Sequence, residues 1–471
     1  MLALVAPILV FGLVIFVHEL GHFVAAKLVG VYAPRFSIGF GPALFRKRRG
    51  ETEYVIAALP LGGYVRMASR HDAEAALLEG GNEESSSLKP GDPGYDPEAM
   101  MPFGPKPIPE HRWFESKSLA ARLFIMIAGV VMNVVLAFVV FTTLNATYGD
   151  QIIPSRVIGA VRVPANVPAL GQLQPGDTIA AVNGQPVRSW NDIAERISET
   201  SDDAVLIRTN RGEVRVPVGG TSGLSPSDVV ASLDFYIPPV IGDVLPNSPA
   251  ARAGLRAGDS IVSIGRQPLQ RWGELQERVG ASAGIDLPFE VMRDGRVVSL
   301  TLRPESTTVK DPVTKQSRSV GKIGAVGADV TAREPMTLGS SVTTGARQTW
   351  LTATKIVDVV QGLLTGGVSP RQLGGPIAIT RASVAAAQSG LESLFMLIAL
   401  LSVNVAVLNL LPIPILDGGQ ILLNVAEAAK GSPFSARTRE YILRFGLVAI
   451  LLIFALSTFN DVRDWFGRLL S

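Results

Sequence analysis

His18-Glu19-Leu20-Gly21-His22 closes an apolar run that begins at Leu2 and continues to Val17. Residues four apart share one face of a helix, so both imidazoles can reach a single metal ion. Glu19, beside them, is placed to take a proton from a water that the metal activates. The H-E-x-x-H spacing is that of a zinc endopeptidase, and its setting is that of a membrane helix. The chain has only 4 histidines, which argues against an accidental pair around a glutamate. An ionisable residue at the centre of a membrane helix costs about 2.5–3.5 kcal/mol on the insertion scale, so three of them within five residues call for a function.

The rest of the chain is consistent with a membrane protein that carries soluble parts. It has 471 residues, 47% of them hydrophobic. The net charge of +2 gives no basis for nucleic-acid binding. Cysteine is absent, which excludes a disulfide scaffold and a thiolate-ligated zinc site. Four stretches are apolar enough to span a bilayer as helices: residues 1–28, 118–145, 391–417 and 439–460. The first is not read as a cleavable signal peptide. No Lys or Arg precedes it, and it runs into H-E-x-x-H rather than a small-residue cleavage site.

Basic residues set the expected orientation. Arg46-Lys47-Arg48-Arg49 follow the first span, Arg112, Lys117 and Arg122 approach the second, and Lys430, Arg437, Arg439 and Arg444 approach the fourth. These loops are assigned to the cytoplasm, with the long segment between the second and third spans outside. Arg463 and Arg468 lie on the opposite side and run against the trend.

That outer segment contains a repeat. Leu173-Gln174-Pro175-Gly176-Asp177-Thr178-Ile179 leads to Val182-Asn183-Gly184-Gln185-Pro186-Val187 and Trp190. Leu255-Arg256-Ala257-Gly258-Asp259-Ser260-Ile261 leads to Ile264-Gly265-Arg266-Gln267-Pro268-Leu269 and Trp272. Each copy reads as a Gly-Asp turn, a short strand, a second turn, a helix and a closing strand pair. The pattern resembles two PDZ domains of the circularly permuted bacterial type, over 152–236 and 237–306, with a connecting segment over 307–390. Such folds bind extended chains at a sheet edge and often capture a terminal carboxylate, so a bound peptide or C-terminus is a possible partner.

Residues 29–117 form the loop between the first two spans. Phe36–Phe45 and Glu53–Met67 alternate as strands do, and Gly62-Gly63-Tyr64-Val65-Arg66-Met67 reads as an exposed edge. The stretch from about 68 to 109 is rich in Gly, Pro, Ser and acids and is expected to be mostly disordered. His71 and His111, in and beside it, are read as solvated.

Two histidines do not complete a zinc site, which usually takes three protein ligands. The candidate third ligand lies in Asn409-Leu410-Leu411-Pro412-Ile413-Pro414-Ile415-Leu416-Asp417-Gly418-Gly419. Two prolines break the helix, and an acid follows. Irregular backbone at membrane depth is tolerated only when it is buried in protein or lines a wet cavity.

H-E-x-x-H in the first span and N-x-x-P-x-P-x-L-D-G-G in a later one resemble the site-2 protease family of intramembrane metalloproteases. Gly129-Val130-Val131-Met132-Asn133 is similar to that family's Gly-x-x-x-Asn, and Leu373-Gly374-Gly375-Pro376-Ile377 and the tandem PDZ pattern point to its bacterial branch. The resemblance covers nearly the whole chain apart from about residues 73–101. It implies an α-helical polytopic membrane protein with about four spans and two inserted β-rich PDZ domains, located in a bacterial inner membrane with those domains in the periplasm.

The resemblance also implies that His18, His22 and Asp417 hold Zn2+. Glu19 would act as general base and Asn409 as donor to the developing oxyanion. Gly62, Gly63, Tyr64, Val65, Arg66, Met67 and Asn133 would hold an unwound substrate. Implied substrates are single-span membrane proteins already trimmed by another protease, such as an anti-sigma factor, or remnant signal peptides. Two other readings remain: a membrane PDZ scaffold or chaperone with a structural metal, and a membrane zincin whose third ligand is a Glu.

Overall fold

The computed structural model describes residues 2–69, 88, 90–91, 94–164, 167–219, 224–310, 317–370 and 373–469. The chain divides into two compact units, residues 1–149 with 335–471, and residues 150–334.

The first unit is mainly helical. Along the chain it contains α1 (Leu2–Leu28), α2 (Leu119–Tyr148), α3 (Leu338–Thr365), α4 (Pro376–Ser389), α5 (Leu391–Asn409), α6 (Asp417–Lys430) and α7 (Ala436–Leu469). Four stretches of the described residues are long and apolar enough to cross a membrane: Val5–Leu28, Leu119–Tyr148, Leu391–Asn409 and Arg437–Arg463. This is a polytopic helical protein with a β-rich insertion between its second and third spans.

α2 is the hub, packed on both α1 and α5. Ser118 caps its start by accepting the Ala121 N–H. Its buried residues Ile125, Gly129, Asn133, Ala137 and Phe141 fall four apart, in one stripe along the helix. Where α1 meets that stripe, Gly21 lies against the backbone of Ala128 and Gly129, and a Cβ on Gly21 would overlap the Ala128 carbonyl. In lipid no hydrophobic force drives helices together, so backbone approach through small residues supplies much of the contact. Val131, Val134, Val135 and Val139 of α2 remain exposed, as suits a lipid-facing side.

The third span is shorter than residues 391–417. α5 stops at Asn409, and Asp417 opens the next helix rather than ending this one. Pro412 and Pro414 carry no N–H, and each ring fixes φ, so the helix cannot continue through them. Short bonds such as Ile413 N–H to Leu411 O (2.7 Å) and Leu416 N–H to Ile413 O (2.8 Å) tie up part of the break. Gly418 and Gly419 let α6 fold back against it, since a Cβ on either would overlap the carbonyl of Leu410 or of Ile413.

The loop after α1 forms β1 (Arg35–Arg49) and β2 (Thr52–Arg66). These long strands bend into more than a plain hairpin. Arg35 to Ile38 pair with Arg66 to Gly63 on one side and with Glu53 to Ile56 on the other. One side of residues 63–66 is therefore occupied by β1. Of the stretch expected to be disordered, residues 70–87 lie outside the described residues. The described part after residue 94 is turns held by local bonds, with the Arg48 guanidinium 4.4 Å from the centre of the Phe103 ring.

The second unit shows the repeat in three dimensions. Strands at 185–186, 179–182, 204–209 and 212–217 form one four-stranded sheet, and strands at 267–268, 260–264, 287–293 and 296–302 form its counterpart in the same order. The Gly-Asp turn acts alike in both. Asp177 is held by Arg211 and Asp259 by Arg293, at 2.5 and 2.6 Å, the same 34 residues apart. The unit extends past residue 306: Ile323 is buried in the second core, and Ala325 packs on it. In each copy a short strand pairs with a later piece of the same chain, 158–161 with 233–235 and 241–244 with 325–327. Phe235 sits edge-on to Trp190 at 5.9 Å, and Gly327 lies against Trp272, so both later strands run beside the helix of their own copy.

Candidate metal centre

α1 places His18 and His22 on one face, each 7% exposed. Asp417, at the first position of α6, comes to meet them. His18 Nε2 lies 3.2 Å from Asp417 Oδ2, His22 Nε2 lies 3.4 Å from Asp417 Oδ1, and the two Nε2 atoms are 3.2 Å apart. Among the described residues this is the group of three His, Cys, Asp or Glu side chains whose ligand atoms gather closely enough for a metal.

The arrangement fits a tetrahedral zinc ion. Bonds of about 2.0–2.1 Å in that geometry set neighbouring ligand atoms about 3.3 Å apart, close to the 3.2 Å between the two Nε2 atoms and to the 3.2 and 3.4 Å from each of them to one of the two Asp417 oxygens. The chemistry of the donors agrees. Nδ1 of His22 donates to the Ile125 carbonyl at 2.8 Å, which leaves Nε2 of the neutral ring as the nitrogen available to a metal. That nitrogen faces another imidazole nitrogen and a carboxylate, and Asp417 Oδ2 is buried without a hydrogen-bond donor. Two imidazole nitrogens and a carboxylate gathered at this range are electron-rich groups that a shared cation would hold together.

Room for the imidazoles comes from α2. A Cβ on Gly129 would overlap Nε2 of His22 and reach 2.9 Å from Cε1 of His18. Asn409, the last residue of α5, sets its amide Nδ2 3.1 Å from His18 Nε2.

A cavity of about 460 Å³ opens onto the cluster. Glu19 and Asn409 line it beside the three candidate ligands, and Gly62, Gly63, Tyr64, Val65 and Met67 form part of its wall. Arg66 does not line it and pairs with Arg35 in the ladder. Asn133, expected to help hold substrate, is also absent from the wall; it is fully buried behind His18. His111 is exposed, away from the cluster, and His71 lies outside the described residues.

Arg122, Asn424 and Arg439 also line the cavity, a set of polar groups that the residue reading missed. Arg122 donates to Asn424 at 2.8 Å, and Arg439 holds Glu427 with two bonds of 2.9 and 2.5 Å. A signal was present. Asp417, Gln420, Asn424 and Glu427 recur at helical spacing along one face of α6.

Comparison with known proteins agrees with this geometry. Residues 6–453 match the model of peptidase family M50. The chain is 31% identical over 482 residues to the regulator of sigma-E protease RseP of Escherichia coli K12, covering 96% of this chain and 97% of that protein. It is 31% identical over 491 residues to a putative zinc metalloprotease of Ralstonia nicotianae, covering 99% of each. It is 29% identical over 495 residues to the probable protease eep of Enterococcus faecalis, covering 99% of this chain and 100% of that one. A match of this length, together with a zinc-shaped cluster inside a membrane helix bundle, places the chain in peptidase family M50, the site-2 family of intramembrane zinc metalloproteases.

Proposed function

We propose that the chain cuts single-span membrane proteins within their membrane segments, using His18, His22 and Asp417 as zinc ligands and Glu19 as general base. The observation that carries this reading is the shared cavity: the candidate ligands, Glu19 and the strand residues Gly62–Val65 all line it. Bound zinc supplies a Lewis acid that polarises a peptide carbonyl and makes water a nucleophile at neutral pH. Glu19 takes the proton of the attacking water and passes it to the leaving amine. Asn409 directs its amide N–H toward the same point and stabilises the oxyanion that develops on the carbonyl.

The carbonyls of a helical substrate are engaged in its own hydrogen bonds, so the helix must open before attack. The second side of Gly62–Val65 offers backbone N–H and C=O groups to the opened chain, as an added strand. The substrates are membrane proteins already trimmed on their outer side, of the kind represented by an anti-sigma factor or a remnant signal peptide. The basic loops described above support a topology with the strand hairpin in the cytoplasm and the β-rich unit in the periplasm of a bacterial inner membrane.

The two PDZ units act as a steric screen in this reading. Their strands at 158–161 and 241–244 are already paired with the protein's own chain, which favours screening over capture of a free C-terminus. The experiment is a comparison of membrane peptides in cells carrying the wild type and Glu19→Gln. Fragments with one outer cut should accumulate in the variant. An unchanged peptide profile rejects the proposal.

A further inference from the structure

Asn133 has no part in the chemistry above, yet it is completely buried in the middle of a membrane helix. Its carboxamide faces His18, with Nδ2 3.4 Å from Nδ1 of the ring. Its Oδ1 is buried without a donor. The nitrogen and oxygen of a carboxamide are told apart by the hydrogen-bond network around them. Here the cation decides. A His18 that offers Nε2 to zinc keeps its proton on Nδ1, and that N–H needs an acceptor. An amide N–H in the same place would set two donors face to face. With the carboxamide turned over, Oδ1 receives the Nδ1 proton and loses its isolation.

The other ring is held in the same way. His22 Nδ1 donates to the carbonyl of Ile125, on the same helix. Ile125, Gly129 and Asn133 are spaced four apart on α2, opposite His22 and His18, which are four apart on α1. One stripe thus supplies an acceptor at each end and, at Gly129, the space between them. The Ser402 hydroxyl donates to the Asn133 backbone carbonyl at 2.8 Å and ties this level of α2 to α5.

We propose that Asn133 is a positioning residue for the metal centre: its side-chain oxygen accepts the Nδ1 proton of His18 and so directs Nε2 toward zinc. The inference rests on His18 being a ligand. Partners of this kind typically contribute roughly 10–100-fold to metal affinity.

The test uses the full-length protein in detergent, with zinc affinity measured by competition with a chelator. Asn133→Leu should bind zinc roughly 10–100-fold more weakly, while Asn133→Asp, which keeps an acceptor at that position, should stay close to the wild type. Raising free zinc should restore the activity of Asn133→Leu, with KM for a model membrane substrate unchanged at saturating zinc. Wild-type affinity in Asn133→Leu overturns the proposal. So does equal weakening in Asn133→Asp, or a changed KM at saturating zinc, which would mark a substrate contact. Should the leucine variant not fold, Asn133→Ala takes its place in the same comparison. Failure of the ligand reading itself shows separately, as a His18→Ala protein that binds zinc like the wild type.

Discussion

A Cβ on Gly63 would stand 3.0 Å from the Cγ of Glu19. It would also stand 2.9 Å from the Ser37 carbonyl oxygen and 3.1 Å from Ile15 Cγ2, so strand and helix meet at this glycine with no spare space. The wall that would receive substrate also seats the proposed base. Gly63→Ala should push Glu19 out of line and lower kcat about 10- to 100-fold, because small misplacements near the reacting atoms are costly. Zinc content should be unchanged. Full activity in this variant would show that Glu19 does not depend on the contact.

Glu19→Gln should lower proteolysis by roughly 10²–10⁴-fold while zinc stays bound, since an amide cannot accept the water proton and the three ligands remain. Cleavage of a purified model substrate, measured together with metal content, checks both halves. Normal cleavage would remove Glu19 from the mechanism.

Asp417→Ala should lose zinc as well as activity. It removes one of three ligands, so the affinity loss should exceed the roughly 10–100-fold typical of outer partners. Full occupancy in this variant would move the third ligand elsewhere and revive a glutamate-ligated zincin.

Asp150–Glu334 is a compact unit, and its first strand, 150–152, pairs with its last, 332–334. The unit can therefore be replaced by a short linker. The shortened protein should keep its zinc and cut a substrate that still carries a bulky outer domain, which the intact protein refuses. A shortened protein that still requires the trimmed substrate would refute the steric screen.

The Glu51 carboxyl falls from its ordinary 4.5 to about 2, because hydrogen bonds from Arg112 first, and then from Lys27, outweigh burial. A folded-state pKa below the unfolded one adds stability above about pH 4.5, and that stability is lost as pH falls toward 2. Glu51→Gln should thus melt at a lower temperature than the wild type at neutral pH. The two curves should converge between pH 4.5 and pH 2. A gap that stays constant across this range would rule out the ionised carboxylate as its source.

The legible parts of this protein were those written at short range. His18 and His22 declare a shared face by their spacing, and Pro412 and Pro414 announce a broken helix. The repeat around Asp177 and Asp259 identified a pair of β units, although not that each would carry a later strand of its own chain. What stayed hidden depends on long-range pairing. Nothing local to Arg35–Ile38 says that they pair on both sides. Nothing local to Gly63 says that it rests on Glu19. Asn133 was legible as a residue of interest, but its direction was not, because only the crossing of α1 and α2 turns it toward His18.

The pairing of β1 with Gly63–Val65 would set a measuring step for cleavage of a chain docked on the other side of that strand. In an antiparallel ladder, both backbone groups of a residue point to one side, and the next residue points to the other. With β1 on one side of Gly63–Val65, every second residue of that stretch turns its backbone groups to the opposite side, where a chain would be added. A chain docked there can slide by two residues and keep its pairing, but a slip of one turns every side chain to the opposite face. Secondary cut sites should therefore lie two residues from the main one, giving products that differ in mass by a dipeptide.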